Sequence, residues 1–373
     1  MDRRERALEK LVIEGLPSRD FWRGRKVLLT GHTGFKGAWL LFWLEAMGAR
    51  VTGCSLAPEQ PRSLFAELHA PERLASETVD IRNADDLAAL VSRTPPEIVF
   101  HLAAQSLVRR GYSDPHGTFA TNVEGTNNLL QALAQVKTAR AVVVTTTDKV
   151  YRNANDGRAF VETDPLGGHD PYSASKAACE MVVEGWRSRL ADEGCSIATA
   201  RAGNVVGGGD WAEDRLIPDA VRAWSSGEAL KVRRPEATRP WQHVLEPLRG
   251  YLVLAERLAS ADASAPAYNF GPRAESASVR TVLSLAAREF GEVRTDFADT
   301  PEGPAEAHKL DLDPTLAETG LGIRGLWDLD RTVTRTAGWY RDFLSGRPAR
   351  ELCEADCCAY LEDVRRAAMA CIR

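Results

Sequence analysis

The sequence predicts an α/β fold, a doubly wound parallel sheet carrying a smaller mixed α/β lobe, and three observations predict it. A short apolar strand, Lys26–Thr30, runs straight into a glycine-rich turn and then into a helix. A second strand follows within about 30 residues of the first, the span of a parallel crossover unit. Short apolar strands and helical stretches then alternate to about residue 200.

Taken in order, residues 7–20 read as a short helical extension ahead of the first strand. The helix after the glycine turn is 38–47 and the second strand 50–56. Residues 98–102 form a strand, 117–136 a long helix and 141–145 another strand. A helix over 172–190 and a strand over 196–200 complete the regular part. Beyond Gly207, Gly208 and Gly209 the pattern loosens around Pro218, Pro235 and Pro240. Pro247 opens a helix ending near Leu258, residues 267–271 return to the main sheet, and 279–290 and 330–344 are helical. The expected organisation is an extension (1–20), a sheet domain (21–204 with 236–272), a lobe (205–235 with 273–345) and a helical C-terminal segment (346–373).

Lys and Arg number 47 against 52 Asp and Glu, and the net charge of −5 comes without a long block of one sign. That balance points away from nucleic acid. No apolar run is long enough to cross a bilayer, and the opening MDRRER lacks the apolar core of a secretory signal, so a cytoplasmic protein with no membrane partner is expected. Of the seven cysteines, Cys353, Cys357 and Cys358 cluster in a helical context without a second ligand pair at finger spacing. They read as packing, no metal site is expected, and free thiols fit a reducing compartment.

Gly31, His32, Thr33, Gly34, Phe35, Lys36 and Gly37 have the spacing G-x-x-G-x-x-G between strand and helix. Glycine permits positive φ and close backbone approach, and the helix start offers free N–H groups to a dinucleotide pyrophosphate. After the second strand an acid would receive the ribose of NAD, or basic residues the extra phosphate of NADP. Neither is plain: the strand ends Cys54, Ser55, Leu56, with Glu59 and Arg62 further on, and Ser55 is the hydroxyl at hand. Asp80 and Ile81 hold the position of an adenine edge, or of an ordinary strand-end carboxylate. Leu102, Ala103, Ala104 and Gln105 follow the next strand, with side chains small enough at 103 and 104 for the cofactor's second phosphate and ribose to approach.

Tyr172 and Lys176 stand four apart on a predicted helix, so both side chains share a face and can meet one ligand. A phenol is a weak base at neutral pH, but a neighbouring ammonium and a cationic nicotinamide favour its ionised form. Tyr172 can then take a proton from a sugar hydroxyl as hydride leaves for the cofactor. Thr145, Thr146, Thr147, Asp148 and Lys149 end a buried strand, where open α/β sheets place their ligands.

The order T-G-x-x-G-F-x-G, H-L-A-A-Q, T-T-D-K, Y-x-x-x-K and R-A-G-N-V-x-G-G-G-D-W resembles the extended short-chain dehydrogenase/reductase superfamily. Within it, Phe21-Trp22, the 31–37 turn, Thr147-Asp148-Lys149, residues 167–172 and R-P-W-Q-H-V at 239–244 are similar to the CDP-glucose 4,6-dehydratase family. The likeness spans roughly residues 20 to 345, and the Asp-Lys pair is its most discriminating motif. It implies a Rossmann-type sheet with a nucleotide-sugar-binding lobe, NAD as cofactor, a homodimer or dimer of dimers, and a place in deoxysugar biosynthesis for lipopolysaccharide O-antigen. It implies catalytic roles for Thr147, Asp148, Lys149, Tyr172 and Lys176, with Thr145 added to the cofactor contacts. Gln105, Thr147, Asn204, Arg215 and Arg239 would hold the substrate, Asn204 beside the sugar and Arg239 on the pyrophosphate. The reaction implied is oxidation at C4, loss of water across C5 and C6 by Lys149 and Asp148, and return of hydride to C6. The likeness is broken between Tyr151 and Glu162, where R-N-A-N-D-G replaces a longer aromatic-rich loop. A nucleotide-sugar 4-epimerase would keep Tyr172 and Lys176 without need of Asp148 and Lys149; a dinucleotide-sensing regulator would need none of the catalytic set.

Overall fold

The computed structural model describes residues 15–58, 60, 62–68, 75–154, 156–263, 265–273, 276–298 and 310–371. Most of the expected N-terminal helix lies outside these residues, and inside them helix begins only at Arg19–Trp22.

Seven strands form the main sheet: β1 (Lys26–Thr30), β2 (Arg50–Ser55), β3 (Ala75–Thr78), β4 (Ile98–His101), β5 (Ala141–Thr147), β6 (Ser196–Ala202) and β7 (Ala267–Phe270). Every pairing is parallel, in the order β7-β6-β5-β4-β1-β2-β3. The order reverses between β1 and β4, which opens a crevice beyond the C-terminal ends of those two strands. Register places Thr30 beside His101 and Cys54.

The helices of ten residues or more are α1 (Phe35–Ala46), α2 (Ala84–Arg93), α3 (Gly125–Val136), α4 (Pro171–Asp192), α5 (Leu216–Ser225), α6 (Leu245–Ala259), α7 (Leu329–Leu344) and α8 (Ala349–Cys371). Both sheet faces are covered, which is why the central strands are apolar at nearly every position. Leu29, Phe100, Val143 and Ala200 face α1 and α6. Leu28, Val99, Val142, Val144 and Ile197 face α2, α3 and α4. Away from the sheet, Val205–Val206 pairs with Gln242–His243, Thr238–Arg239 with Ala277–Ser278, and Leu230–Val232 with Thr295–Phe297.

Two departures from the expected element bounds stand out. The helix expected over 117–136 starts as Pro115–Phe119, widens into a π turn at Ala120–Glu124 and resumes as α3. That turn buries Asn122, a polar residue the helix would otherwise have to accommodate within regular spacing. Strands β5 and β6 each run two residues beyond the expected end, through Thr147 and Ala202. The C-terminal segment is one 23-residue helix whose Leu352, Cys353, Cys357, Tyr360 and Val364 enter the same core as α1. Cys353 and Cys357 therefore serve packing.

Candidate active site

The turn between β1 and α1 is built by glycine. Gly31 has φ +75°, and a Cβ there would lie 2.6 Å from the Ala103 amide nitrogen, so the loops after β1 and β4 touch at the switch point. At Gly37 a Cβ would lie 2.0 Å from the Gly31 carbonyl oxygen, which fixes how closely α1 docks on its own turn. Helix α1 begins at Gly34 without a side-chain cap or an acidic residue in its first turn. Its first N–H groups are thus left for an anion, and a dinucleotide pyrophosphate fits this cradle.

The flanking residues divide. Thr33 and Ser55 hydroxyls are hydrogen-bonded at 2.7 Å at the end of β2, where a ribose would lie. The Asp80 carboxylate accepts from Arg82 Nε at 3.0 Å, and that bond holds its pKa below the ordinary carboxylate value. Arg62, the basic residue after β2, is turned away: it lies 5.1 Å over the Trp211 ring and pairs with Glu67 at 3.8 Å. His32 is buried, its Nε2 2.8 Å from Ser76 Oγ and its ring edge-on to Phe65, and burial pushes it down to about 4. The Ile81 side chain packs against Gly125. Leu102 N donates to Thr30 O at 3.1 Å and Ala103 N to Thr30 Oγ1 at 3.2 Å, so backbone runs close along the crevice, with Ala104 half-buried beside them. The Gln105 amide is engaged inside its own loop, donating to Thr118 Oγ1 at 2.9 Å and accepting from Leu107 N at 2.6 Å. Phe35 is half-buried against Gly207.

Across the crevice, α4 starts at Asp170, whose carboxylate caps Ser173 N at 3.0 Å. The first turn then presents Tyr172 and the next turn Lys176, 8% and 5% exposed. Lys176 Nζ donates to the Thr145 carbonyl at 2.8 Å, and Tyr172 is hydrogen-bonded to Thr147. Thr145 Oγ1 in turn donates to the His101 carbonyl at 3.1 Å. Burial pushes Tyr172 up to about 12, against the Thr147 bond and the Arg215 guanidinium, while Asp148 adds to the rise. The cation that favours the phenolate here is Arg215, because Lys176 is directed to the strand carbonyl.

Thr147 Oγ1 also donates to Asp148 Oδ1 at 2.8 Å. A hydroxyl has one proton, so it can serve Asp148 or a phenolate at Tyr172 but not both. Asp148 is 2% exposed, and its Oδ2 has no hydrogen-bond partner among the described residues. The half-buried Lys149 ammonium is also unpaired among them. A carboxylate oxygen such as Asp148 Oδ2 is costly to bury without a partner. Lys36 joins this charge cluster: burial, then Arg215 and Lys176, lower it to about 8, against Asp148.

Residues 27–271 match the NAD dependent epimerase/dehydratase family. The chain is 42% identical over 337 residues to CDP-glucose 4,6-dehydratase of Salmonella typhimurium, covering 88% of this chain and 94% of that protein. This chain belongs to the NAD dependent epimerase/dehydratase family. It is 26% identical to dTDP-glucose 4,6-dehydratase 1 of Escherichia coli over 84% of this chain and 92% of that one. Among solved family structures, the dTDP-glucose 4,6-dehydratase DesIV of Streptomyces venezuelae, with NAD and TYD bound, superposes with a TM-score of 0.72 at 26% identity, covering 85% of this chain and 97% of that one. A UDP-glucose-4-epimerase of Stenotrophomonas maltophila reaches 0.76 at 22% identity, covering 86% and 99%, a likeness of fold.

For this family member the lobe-side residues stand as follows. Arg215, ahead of α5, is held by Asp210 at 2.8 Å and reaches Ser106 Oγ at 3.3 Å, with its charge close enough to act on Tyr172. Arg239 is buried, its Nη1 donating to the Thr238 carbonyl at 2.7 Å. Asn204 is half-buried, and its amide has no partner among the described residues. His243 is packed between Trp39 and Trp327, with ring centroids at 6.2 and 4.8 Å, while His169 is exposed. Sequence reasoning missed Asn122, which bonds Gln105 N at 2.8 Å and Ser175 Oγ at 2.8 Å and so clips the β4 loop to α4. It also missed Tyr251 of α6, a fully buried phenol whose hydroxyl has no partner among the described residues and whose ring lies 5.9 Å from the Lys36 ammonium. Neither has a signal at short sequence range.

Proposed function

We propose that this protein removes water from CDP-D-glucose to give CDP-4-dehydro-6-deoxy-D-glucose, with NAD bound in the β1–β4 crevice. The carrying observation is Asp148 and Lys149 together at the end of β5 near Tyr172, with Asp148 Oδ2 and the Lys149 ammonium lacking partners among the described residues. The 42% identity to the Salmonella CDP-glucose 4,6-dehydratase supports the same reading.

NAD supplies a hydride acceptor at C4 and later the hydride donor at C6. Tyr172 takes the proton of the 4-hydroxyl, and Thr147 turns its own proton from Asp148 to the sugar oxygen or the phenolate. The C4 ketone makes the C5 hydrogen acidic. Lys149 removes that proton from the sugar, and the Asp148 carboxyl gives one to the departing 6-hydroxyl, which leaves as water. Once C6 is reduced, Lys149 gives its proton back to C5, and the proton taken by Tyr172 replaces the one Asp148 gave to the departing water, so the proton balance closes. Asn204, Arg215 and Arg239 hold the nucleotide sugar, two guanidinium forks suiting a pyrophosphate.

A panel of nucleotide glucoses followed by mass tests the reading. Loss of one water from CDP-glucose alone supports it; an unchanged mass with a galactose product makes the protein a 4-epimerase instead, a reaction that leaves Asp148 and Lys149 without work. The reaction belongs in the cytoplasm, in deoxysugar biosynthesis. Among the described residues no helix is long and apolar enough to cross a membrane. The protein acts as a homodimer through the helices that carry Tyr112, Phe119 and Met181, large apolar side chains that are 60%, 40% and 62% exposed.

A further inference from the structure

Behind the catalytic strand end lies a buried polar network that none of the steps above uses. Glu180 stands on α4, one turn after Lys176, and is buried. Its Oε1 accepts from Thr146 Oγ1 at 2.5 Å and from Arg201 Nε at 2.9 Å. Its Oε2 accepts from Thr199 Oγ1 at 2.7 Å and from Arg201 Nη2 at 2.8 Å. The remaining guanidinium nitrogen of Arg201 donates to Tyr151 Oη at 2.8 Å and to the Glu162 carbonyl at 3.0 Å, and Tyr151 passes its own proton to Asn269 Oδ1 at 2.7 Å on β7.

The spacing gives this network a role. Tyr172, Lys176 and Glu180 are each four residues apart, so they form one ladder along α4. Their partners are three consecutive residues of β5: Thr147 for Tyr172, the Thr145 carbonyl for Lys176, and Thr146 for Glu180. The first rung carries chemistry and changes partners during turnover, and the second stands beside it on the strand carbonyl. The third faces away from the crevice, is fully bonded on both oxygens, and has no reason to let go. Arg201 secures it and, through Tyr151 and Glu162, ties both ends of the 151–162 excursion to the same point.

We propose that Glu180, locked by Arg201, is a positioning residue that fixes helix α4 against the β5 end and so sets Tyr172 against Thr147 and the sugar. The kinetic part of this proposal rests on the dehydratase reading; the geometric part does not.

Replacing Glu180 or Arg201 strands a buried charge, so the test uses Thr146→Val, which removes one hydroxyl and leaves the ion pair intact, with Thr146→Ser as the conservative control. In the NAD-bound protein the Tyr172 phenol is titrated by ultraviolet difference against Tyr172→Phe. The valine variant is expected to titrate roughly one pH unit above the parent, a tenfold smaller ionised fraction at a given pH. The serine variant is expected to titrate with the parent. In turnover the valine variant should lose kcat by roughly 10- to 100-fold, the size expected of a displaced reacting group. KM for the nucleotide sugar should stay within about twofold, as for an interaction outside ground-state binding. An unmoved phenol in Thr146→Val, or a rise in KM with kcat unchanged, overturns the positioning role. Because the titration needs no turnover, a parent that titrates as described but dehydrates no nucleotide sugar overturns the dehydratase reading alone. If the valine variant does not fold, Thr199→Val removes the hydroxyl partner of the other oxygen and is read in the same way.

Discussion

Tyr172 poses the central electrostatic problem at the residue scale, because burial alone would leave it protonated at neutral pH. Arg215 is the protein cation that works against this, and its guanidinium is itself held in place by Asp210. Arg215→Met should therefore move the acidic limb of the kcat–pH profile upward, measured at saturating substrate so that weakened binding does not enter. At Lys149 the expectation is different in kind. Lys149→Ala should still oxidise C4 but retain the C5 proton, so dehydration falls by about 10²- to 10⁴-fold. In a single turnover the absorbance of the reduced cofactor should rise and persist; dehydration at the parental rate would remove Lys149 from the mechanism.

Among the elements, the β1–α1 turn has the least tolerance. Gly31→Ala combines positive φ with a Cβ driven into the Ala103 backbone. It should destabilise the fold by about 1–3 kcal/mol and abolish NAD binding, read by thermal denaturation and by cofactor titration of the same sample. Helix α8 is held at Tyr360, whose hydroxyl donates to Glu246 Oε2 at 2.6 Å while its ring meets Trp43 and Trp327 edge-on. Tyr360→Phe leaves a buried carboxylate oxygen short of a donor and should cost about 1–3 kcal/mol in denaturant unfolding. Helix α2 carried an ordinary amphipathic signal that the sequence reading passed over, with Asn83 as its cap and Leu87, Leu90 and Val91 on one buried face, whereas edge strand β3 was not legible in the sequence. Ala75–Thr78 is largely exposed, so it carries no apolar signature and is defined by its pairing with β2. The π turn likewise depends on Asn122 finding partners 17 and 53 residues away.

For the whole molecule, the half-buried Glu256 and the buried Asp356 contribute to how stability varies with pH. Burial raises Glu256 from 4.5 and Asp356 from 3.8, each to about 7. Between the ordinary carboxylate value and about 7 the folded chain holds protons that the unfolded chain has released, so stability falls as pH rises through that window. Burial lowers His32, His101 and His243 from 6.5 to about 4, 3 and 3, which acts in the opposite sense below about pH 6.5, so the checkable quantity is a difference: between about pH 5 and pH 8 the Tm of Asp356→Asn should fall less, or rise more, than that of the parent. An equal slope in the variant would remove Asp356 from the account. The proposed dimer is tested at the same scale: Met181→Glu, placing charge on an exposed apolar side chain, should give a protein that sediments as a monomer where the parent sediments as a dimer, with its fold unchanged.

The sequence by itself determined what depends on neighbours along the chain. The strand–helix alternation, the glycine turn, the shared face of Tyr172 and Lys176, and the Thr147-Asp148-Lys149 run are all set within a few residues, by φ/ψ limits and helical periodicity. Only the tertiary structure decided which of those groups are left unpaired and which are occupied. It turned Arg62 onto Trp211, closed Gln105 into its own loop, aimed Lys176 at a carbonyl, and brought Glu180, Arg201 and Tyr251 to the catalytic strand from three other segments. The physical reason is that a charge or hydroxyl is defined by what stands within about 3 Å of it. In a doubly wound sheet those neighbours come from strands and helices far apart in the chain, and they meet only when both faces of the sheet are packed.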